Sequence, residues 1–516
     1  MPWCSVVHTF LAWRNYYTLP CNAPACEITL TIERCIIARM SLNLIRALRV
    51  EFSSRIAFVG AGGKTTALFQ LARELINEKA ITTVVVTGTS HLGAWQIPLA
   101  DLHIVAESTA SLEENKYRLQ GVVLVTGELG GDRTKPLNEE TLNWLHQYCD
   151  KHSIPLLIEA DGSRQKPLKA WSAHEPPIPS FVDQVVQVVG LTGLQQSLTD
   201  QYVHRPEIFS ARSGLTIGER VTTDALISVL KHPKGGLKNI PAHAHRTILL
   251  NQADTPELQA IAHGLVQPLI SIFHSVIICS LQQETVFAVH EPVAGIVLAA
   301  GESARFGNTK QLLDWKGEPF VRAVALTALE AGLSPVIVVT GANAEKVELV
   351  LENLNVIIVR NEDWKSGQGS SIKAGVSSLT SPPPGLPQIR HGDFGFQEIP
   401  SVGFGGGARR AEEVGAAVFL LTDQPQITTS ILRALVQRHA ESLSPVVAPM
   451  VMDQRANPVL FDRETFVDLV TLEGDVGGRA IFHKHRVEYL PWHDDRLLLD
   501  VDTPEMYERL IANDSL

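Results

Sequence analysis

Residues 295–317 read GIVLAAGESARFGNTKQLLDWKG. An apolar run breaks into glycines and charges and then resumes helical spacing, a pattern typical of a buried strand, a phosphate-binding turn and a helix. The turn has the form L-A-A-G-x-S-x-R-x-G-x-x-K, which places two cations, Arg305 and Lys310, beside its glycines. Backbone amides can then surround phosphates while the two cations neutralise their charge. This stretch therefore predicts an α/β nucleotide-binding fold for the second half of the chain.

The same alternation of short apolar strands and amphipathic helices extends in both directions from this stretch. A first series runs through RIAFVG, TTVVVTG, GVVLVTG, IPLLIEADG, VDQVVQVVG and RTILLNQAD. A second begins at Val293 and runs through VAGIVLAAG, SPVIVVTG, NVIIVRN, AAVFLLTDQP, SPVVAPM and RLLLDVD. Such alternation predicts parallel sheets with helices on both faces. The fold class is therefore α/β, with two three-layer α/β domains, the first P-loop-like and the second Rossmann-like.

Changes in composition set the expected boundaries. We place the first domain at 40–288 and the second at 293–516. Residues 1–39 are rich in aromatic residues and cysteine and have no amphipathic period, so we expect a poorly ordered extension. Residues 381–412 are rich in proline and glycine and cannot bury enough apolar surface to offset the entropy of ordering. We expect a disordered insertion there, with a lid over the site as the alternative.

The bulk composition excludes several classes of function. A net charge of −11 argues against general nucleic-acid binding, which needs a basic surface. No stretch of about 18 uncharged apolar residues is present, so we expect no membrane span. Cys149 and Cys279 stand alone and read as reduced, buried thiols of a cytoplasmic protein. The four cysteines before residue 40 lack a C-x-x-C pair, which disfavours zinc.

FVGAGGKTTALF, in the first domain, predicts a phosphate-binding loop between a strand and a helix. Phe58 stands where the usual G-x-x-x-x-G-K-[ST] motif has its first glycine, but the rest of the loop is present. Glycines let amides point at an anion, a lysine adds charge, and a threonine hydroxyl can join the Mg²⁺ shell. The candidate residues are Gly60, Gly62, Gly63, Lys64, Thr65 and Thr66.

Two further strand ends of the first domain carry polar residues. LLIEADG puts Glu159 and Asp161 where Mg²⁺ would sit, and Arg164, Lys166 and Lys169 follow as a candidate anion-binding group. ILLNQAD resembles the N-K-x-D guanine-recognition motif of GTPases, with glutamine in place of lysine. The candidates there are Asn251 and Asp254. The bound nucleotide would be GTP or ATP.

VGAGGKTT, EADGSRQKPLKAW and HEPPIP together resemble the YqeC family, over roughly residues 42–285. The resemblance implies an accessory protein of selenium-dependent molybdenum hydroxylases, with a hydroxylase apoprotein as the partner. His174 and Glu175, within HEPPIP, are either site residues or parts of a polar loop.

In the second domain, polar motifs again follow the strands. VRNEDWKSGQGSSIKAG is a small polar loop leading into a helix, suited to contacts with base and ribose. Asp423 ends FLLTDQP, and Asp500 and Asp502 end LLLDVDTPE. Carboxylates from separate strands can hold Mg²⁺ across the α- and β-phosphates. We expect Asp423 to be the main ligand and one of the other two to join it. The nucleotide-binding candidates are Leu298, Ala299, Ala300, Gly301, Ser303, Gly307, Gly367, Gln368, Gly369, Ser370 and Ser371.

These motifs, with RANPVLF and GDVGGRA, resemble the MobA-like nucleotidyltransferases and, within them, the molybdenum cofactor cytidylyltransferase branch. The resemblance runs from about 293 to 513. It implies that CMP passes from CTP to Mo-molybdopterin with release of pyrophosphate, with Arg305, Lys310 and Asp423 catalytic and Mg²⁺ required. Relatives that use GTP tend to carry L-A-G-G in the first loop, so Ala300 favours CTP. Ala456, where a glycine is usual, weakens the assignment of RANPVLF as the pterin-facing loop.

Three alternatives remain open from the residues. The second domain could transfer a nucleotide to another phosphorylated acceptor, such as a sugar phosphate. The chain could instead be a GTP-dependent delivery or chaperone protein that binds the finished cofactor. The first domain could also be an ATP-dependent kinase or synthetase.

Overall fold

The computed structural model describes residues 42–77, 81–302, 306, 309–380 and 414–514. The predicted extension at 1–39 and the predicted insertion at 381–412 lie outside these residues. Described residues from Leu42 onward form one compact unit with two main sheets. No helix in the described ranges has both the length and the apolarity needed to cross a bilayer.

The first half is built on a nine-stranded sheet, counted over the described residues, in the order β14-β13-β12-β10-β1-β8-β2-β5-β4. Its pairs are parallel except for the edge strand β14, which is antiparallel to β13. The strands of this half, including short pairs outside the main sheet, are β1 (Arg55–Gly60), β2 (Thr83–Gly88), β3 (Leu92–Gly93), β4 (Leu102–Val105), β5 (Gly121–Thr126), β6 (Leu129–Gly130), β7 (Arg133–Thr134), β8 (Leu156–Glu159), β9 (Leu168–Lys169), β10 (Gln184–Gly190), β11 (Val203–His204), β12 (His245–Asn251), β13 (Ser275–Ser280) and β14 (Thr285–His290).

Helices cover both faces of this sheet. They are α1 (Leu44–Ala47), α2 (Lys64–Asn77), α3 (Thr109–Asn115), α4 (Glu139–His152), α5 (Pro206–Ser213), α6 (Thr223–Lys231) and α7 (Pro256–Ile270). Successive residues of β1 point to opposite faces of the sheet and enter different cores. Phe58 packs with Leu68 of α2, while Val59 packs with Leu145 of α4. Helix α4 begins at its N-cap Asn138, whose side chain accepts from the backbone amide three residues on. The three-layer prediction is confirmed for this half.

The second half has an eight-stranded sheet within the described residues, in the order β19-β18-β15-β20-β23-β21-β22, with β24 also paired to β21. Its strands, with the separate pair β16–β17, are β15 (Val293–Ala299), β16 (Asp314–Trp315), β17 (Glu318–Pro319), β18 (Val336–Thr340), β19 (Ile357–Arg360), β20 (Ala416–Leu421), β21 (Val446–Val451), β22 (Gln454–Arg455), β23 (Val459–Asp462) and β24 (Val487–Pro491). Its helices are α8 (Phe320–Glu330), α9 (Ala344–Leu349), α10 (Gln368–Thr380), α11 (Thr429–Ser442), α12 (Phe466–Leu469) and α13 (Pro504–Asp514).

This half is also layered on both faces. On β15, Val297 packs with Val324 of α8, and Ile296 packs with Ile372 of α10. The sheet is mixed, however, because β23 is antiparallel to both β20 and β21. The cause is a hairpin between β21 and β22, whose turn residues Met452 and Asp453 have φ of 46° and 61°. The predicted parallel arrangement therefore holds for β15, β18, β19 and β20, whereas β23 runs antiparallel to its two neighbours.

RLLLDVD is also not a strand. Residues Asp495–Leu498 form a 3-10 turn, and the side chain of Asp494 accepts from the backbone amide of Arg496 in it. An extended segment then leads to α13. The apolar run resembles a strand because Leu497 and Val501 are both buried, but each packs in a different cluster.

Only two residues, Glu291 and Pro292, separate the last strand of the first sheet from the first strand of the second. Glu291 is buried and forms an ion pair with Arg49, whose guanidinium lies 2.6 Å from it and 2.7 Å from Asp462, at the end of β23. His439 Nε2 lies 2.7 Å from the same Asp462 carboxylate. A buried charge cluster, formed by Arg49, Glu291, His439 and Asp462, thus joins the two halves.

Candidate functional site

Lys310 lies between two carboxylates at the carboxyl ends of the second sheet. Its Nζ is 2.8 Å from Asp502 Oδ1 and 3.3 Å from Asp423 Oδ2. The preceding loop is held at its base by Gln311, whose amide nitrogen donates to the carbonyl oxygens of Ala299 (3.3 Å) and Gly301 (2.7 Å). Asp423 and Asp502, which follow Lys310 by 113 and 192 positions in the sequence, therefore contact the same ammonium group.

Ser303, Arg305 and Gly307, in the same loop, lie outside the described residues. Their assignment to phosphate binding, and the catalytic role of Arg305, stay predictions.

Asp423 has one oxygen available for a ligand. Oδ1 is buried and has no hydrogen-bond partner among the described residues. Burial raises the pKa of Asp423, and the charge of Lys310 opposes that shift. The Asp423 carbonyl oxygen accepts from Val501 N at 3.0 Å, which brings the 500–502 segment against it. A buried, unpartnered carboxylate oxygen beside a second carboxylate is a suitable first ligand for a hard cation.

Asp500 and Asp502 occupy different environments. Asp502 contacts Lys310, whereas Asp500 Oδ1 accepts from Gln424 Nε2 at 2.6 Å. Burial, followed by the charge of Asp423, raises the pKa of Asp500. The structure thus places Asp502 with Lys310 and Asp423, and places Asp500 behind them. Gln311 and Gln424 were not among the predicted site residues, since a glutamine next to a motif gives no signal of its own in the sequence.

The predicted base-and-ribose loop packs against GDVGGRA. Gly367 has φ of +109°, and a Cβ there would lie 2.3 Å from the carbonyl carbon of Gly474. Gly369 N donates to Gly474 O at 3.1 Å. The side chain of Gln368 lies next to Gly477, since a Cβ on that glycine would be 2.9 Å from Gln368 Oε1. Two motifs about a hundred residues apart in the sequence therefore form one surface.

Within that loop, the hydroxyls are organised by one amide. Asn361 Nδ2 donates to Ser370 Oγ at 2.8 Å and to Ser371 Oγ at 3.1 Å. The loop also lies close to the end of β15, because a Cβ on Gly341 would be 2.7 Å from Ala300 O and 2.9 Å from Trp364 Cβ. Ala300 is buried, so its methyl group shapes the packing of this turn.

Leu298 and Ala299 contribute through their backbone. Leu298 O accepts from Thr422 Oγ1 at 3.1 Å, and Ala299 O accepts from Gln311. Both carbonyls are thus used to hold the strand end in place.

The first half carries a second candidate site at the turn after β1. Gly60, Gly62 and Gly63 have φ of +99°, +81° and +127°, and a Cβ at any of them would lie within 2.4 Å of another atom. Lys64 Nζ bonds Gly60 O at 2.8 Å and Asp161 Oδ1 at 3.3 Å. The loop therefore needs its glycines, and its lysine lies folded back on its own turn.

Thr65 is linked to a buried carboxylate and a buried amide. Its hydroxyl donates to Glu159 Oε2 at 2.8 Å and accepts from Gln96 Nε2 at 3.2 Å. Burial raises the pKa of Glu159, against the opposing charge of Lys64. Gln96 is 5% exposed, and its Oε1 has no partner among the described residues. Thr65, Gln96 and Glu159 all line one cavity of about 780 Å³.

Asp161 lies behind this cavity and is fully buried. It accepts from Gly60 N, from Lys169 Nζ at 2.9 Å and from Trp171 Nε1 at 2.8 Å. Burial alone would raise its pKa, but Lys64 and Lys169 hold the pKa below the ordinary value. The structure therefore separates the predicted acid pair: Glu159 faces the cavity, and Asp161 holds the loop. Lys169 is likewise turned inward, away from the predicted anion-binding group.

The rest of the cavity wall carries several cations among neutral residues and two acids, Asp132 and Glu175. Thr66, Arg133, Arg164 and Lys166 line it, and the three basic residues make no ion pair with another described residue. Glu175 also lines it and forms an ion pair with Arg205. The fields of fixed cations in such a cleft attract anionic ligands.

The other two candidates of the first half lie at the end of β12: Asn251 is its last residue, and Asp254 follows three positions later. Asn251 Nδ2 donates to Gly62 O at 2.7 Å, so the end of β12 is attached to the phosphate loop. Asp254 Oδ1 accepts from Ser280 Oγ at 2.5 Å. Gln252, between them, lines the cavity.

Two family models match the chain in series. Residues 56–207 match the YqeC protein family, and residues 295–489 match the MobA-like NTP transferase domain. The first match spans the strands from β1 to β11 and leaves β12, β13 and β14 of the first sheet outside it, whereas the second match spans nearly all of the second sheet.

Three curated relatives are similar to parts of the chain. The uncharacterized protein YqeC of Escherichia coli is 32% identical over 42% of this chain and 82% of its own length. The nicotine blue oxidoreductase of Paenarthrobacter nicotinovorans is 30% identical over 42% of this chain and 96% of its own length. A probable molybdenum cofactor guanylyltransferase of Bacillus cytotoxicus is 30% identical over 17% of this chain and 43% of its own length.

Proposed function

Because the chain belongs to the YqeC family in its first half and carries a MobA-like NTP transferase domain in its second, we propose that it is a bifunctional protein of molybdenum cofactor metabolism. The second half transfers CMP from CTP to Mo-molybdopterin and releases pyrophosphate. The first half binds a Mg²⁺–nucleoside triphosphate and serves the maturation of a molybdenum hydroxylase in the cytoplasm.

The observation that carries the transferase proposal is the placement of Lys310 between Asp423 and Asp502. A triphosphate in the preceding glycine loop would lie beside this ammonium group, which can neutralise the charge that develops as pyrophosphate leaves. The terminal phosphate of molybdopterin is already anionic at neutral pH, so its attack on the α-phosphorus requires no general base. The chain's contribution is then positioning and charge neutralisation.

The residues present fit a divalent cation. Asp423 Oδ1 is buried and unpartnered within the described ranges, and Asp502 lies beside the same lysine. Mg²⁺ is usually bound through one or two carboxylates together with substrate phosphates, so a larger protein cluster is not required. When bound, it would withdraw charge from the phosphate oxygens. Asp423 and Asp502 would hold it, and Lys310 would orient both carboxylates.

Two observations support the choice of substrates. The molybdenum cofactor is proposed because a relative bears the name of a probable molybdenum cofactor guanylyltransferase. CTP is proposed because of the L-A-A-G form of the first loop, where Ala300 is buried against the neighbouring turn.

The test offers CTP and GTP together with Mo-molybdopterin and Mg²⁺ to the full-length protein, followed by mass analysis of the products. We expect the cytosine dinucleotide and pyrophosphate in equal amounts. Equal or greater formation of the guanine dinucleotide would contradict the choice of CTP. A panel of phosphorylated sugars in place of molybdopterin tests which acceptor is used. Faster turnover with one of them would contradict the choice of molybdopterin.

Asp423→Ala should lower kcat by at least about 10²–10³-fold, because it removes the proposed first ligand and leaves Lys310 with one carboxylate. Glu345→Ala, at an exposed carboxylate of α9, is the matched control and should retain wild-type turnover. Circular dichroism verifies that both variants fold. Wild-type activity of the Asp423 variant would remove this residue from the site.

A further inference from the structure

The strand order of the first sheet places Asp254 at a defined distance from the phosphate loop. The loop follows β1, and β12 is the second strand along in the order β1-β10-β12. Parallel neighbours are about 4.8 Å apart, so the backbone at the end of β12 lies about 10 Å to the side of the end of β1, where the loop begins. That offset matches the distance from the phosphates of a nucleotide, across its ribose, to its base.

Asn251 joins the three elements that meet there. Its Nδ2 donates to Gly62 O in the phosphate loop, and its Oδ1 accepts from Leu281 N, in the turn after β13, at 2.9 Å. A Cβ on Gly63 would lie 2.4 Å from Asn251 Nδ2. The amide of Asn251 is therefore engaged through both its nitrogen and its oxygen, and Asn251 is a positioning residue that fixes the turn carrying Asp254.

Asp254 presents one fixed and one open carboxylate oxygen. Oδ1 accepts from Ser280 Oγ at 2.5 Å, and the Asp254 carbonyl oxygen accepts from Gln283 Nε2 at 3.3 Å. Within the described part of the chain, Oδ2 has no hydrogen-bond partner, and the residue is partly exposed. Gln252, two residues earlier, already lines the cavity that contains Lys64, Thr65 and Glu159.

A carboxylate held in a fixed orientation discriminates among bases because, when ionised, it can accept hydrogen bonds but cannot donate one. Guanine presents two adjacent donors, N1–H and N2–H, which one carboxylate can accept together. Adenine presents a ring-nitrogen acceptor beside its amino group, so its lone pair would face the carboxylate. We propose that Asp254 recognises guanine and that the first half is a GTP site. This inference rests on the proposed nucleotide-binding function of that half.

The test measures binding of GTP, ATP and XTP to the full-length protein with Mg²⁺, in the wild type and in Asp254→Asn. We expect wild-type affinity for GTP to exceed that for ATP by about 10- to 100-fold, as one bidentate base contact provides. The variant should invert the choice to XTP over GTP, because the asparagine amide can donate to the xanthine C2 carbonyl while its own carbonyl accepts from N1–H.

Lys64→Ala assigns the signal to this site rather than to the second half, and nucleotide binding that depends on Asp254 must disappear in that variant. If no nucleotide binding is lost in Lys64→Ala, the proposed nucleotide function of the first half fails, and the guanine inference with it. If Lys64-dependent binding is present but ATP and GTP bind equally, the nucleotide function survives and the guanine inference is overturned.

Ser280→Ala provides a second variant in case Asp254→Asn does not fold. It frees Asp254 Oδ1 without changing its charge, so we expect GTP affinity to fall several-fold while ATP affinity stays the same. Equal loss for both nucleotides, or no loss for either, would overturn the assignment of Asp254.

Discussion

Asp500 and Asp502 are chemically identical and two positions apart, yet their contacts assign them different roles. We expect Asp502→Asn to lower kcat by about 10- to 100-fold, because it weakens both the grip on Lys310 and the proposed cation site. Asp500→Asn keeps a hydrogen-bonding partner for Gln424 and should lower kcat less than about fivefold. Steady-state kinetics at saturating Mg²⁺ compares the two, and a larger effect at Asp500 would reverse the assignment.

The protonation of Asp423 predicts how cation binding depends on pH. Burial raises the pKa of this carboxyl above the ordinary value of 3.8. As the pH falls, Asp423 therefore takes up its proton earlier than an exposed aspartate does, and a protonated carboxyl is a poor ligand. We expect Mn²⁺ affinity, measured by calorimetry with the nucleotide present, to decline as the pH falls. The decline should begin at a higher pH than the protonation of an exposed aspartate would give. Asp423→Asn should abolish this dependence.

Residue types could be predicted from the sequence at these sites, but their roles could not. Glu159 and Asp161 both follow a buried strand, and the pattern treats them alike. Which one faces the cavity depends on Lys169 and Trp171, whose side chains fold back on Asp161. Such inward-directed contacts depend on the path of a loop, and spacing alone does not encode that path.

At the scale of elements, the loop ending in Gly367 requires a glycine at that position, both for its positive φ and for its close contact with Gly474. Gly367→Ala should destabilise the fold by roughly 1–3 kcal/mol and raise the KM for the nucleotide, since its Cβ would overlap the backbone of Gly474. Gly332→Ala is a matched control, because that glycine also has positive φ, +88°, but a Cβ added there would meet no atom within 4 Å. Thermal unfolding and KM, measured for both variants, separate the effect of backbone strain from the effect of the close contact with Gly474. Equal effects of the two variants would show that close packing is not the cause.

Strands that end in glycine or acid were readily predictable, because a buried run of β-branched residues followed by a turn is a strong pattern. β1 and β8 are examples, each ending where the sequence indicates. The final RLLLDVD run misled because apolar residues that pack in two different clusters around a 3-10 turn have the same composition as a strand. The antiparallel β23 was missed because its direction is set by the hairpin before it.

At the scale of the whole molecule, the buried charge cluster predicts strong coupling between the halves. Arg49→Met would leave Glu291 and Asp462 buried without their cation, and should cost about 3–5 kcal/mol in the free energy of unfolding. Arg73→Met breaks an exposed pair with Asp101 and should cost at most about 1 kcal/mol. Chemical denaturation measures both. Similar small effects would mean that the cluster does not stabilise the joined halves.

Buried histidines predict that stability falls in mild acid. Burial lowers the pKa of His245 and of His290 to about 4, against 6.5 when exposed. The unfolded chain therefore binds more protons between these values, and the free energy of unfolding decreases as the pH falls from about 6.5 toward 4. We expect a loss of roughly 1–2 kcal/mol per histidine between about pH 7 and pH 5. His290→Gln should remove its share, and an unchanged pH profile would exclude His290 as a cause.

The succession of two sheets was visible in the strand series, whereas the cluster that joins them was not. Arg49 is 242 residues from Glu291 and 413 from Asp462, and no local pattern connects residues so far apart. Only the packed chain brings them within contact distance.

The short passage between the sheets also determines how the molecule can move. A hinge needs residues that are free to change φ and ψ. Glu291 is fixed by its ion pair, and Pro292 has its φ restrained by its ring. We therefore expect the halves to tumble as one particle, with the same radius of gyration in solution scattering whether either site is filled or empty. A ligand in one half can then influence the other only through small shifts in the packed interface, since no swinging motion is left to carry the signal.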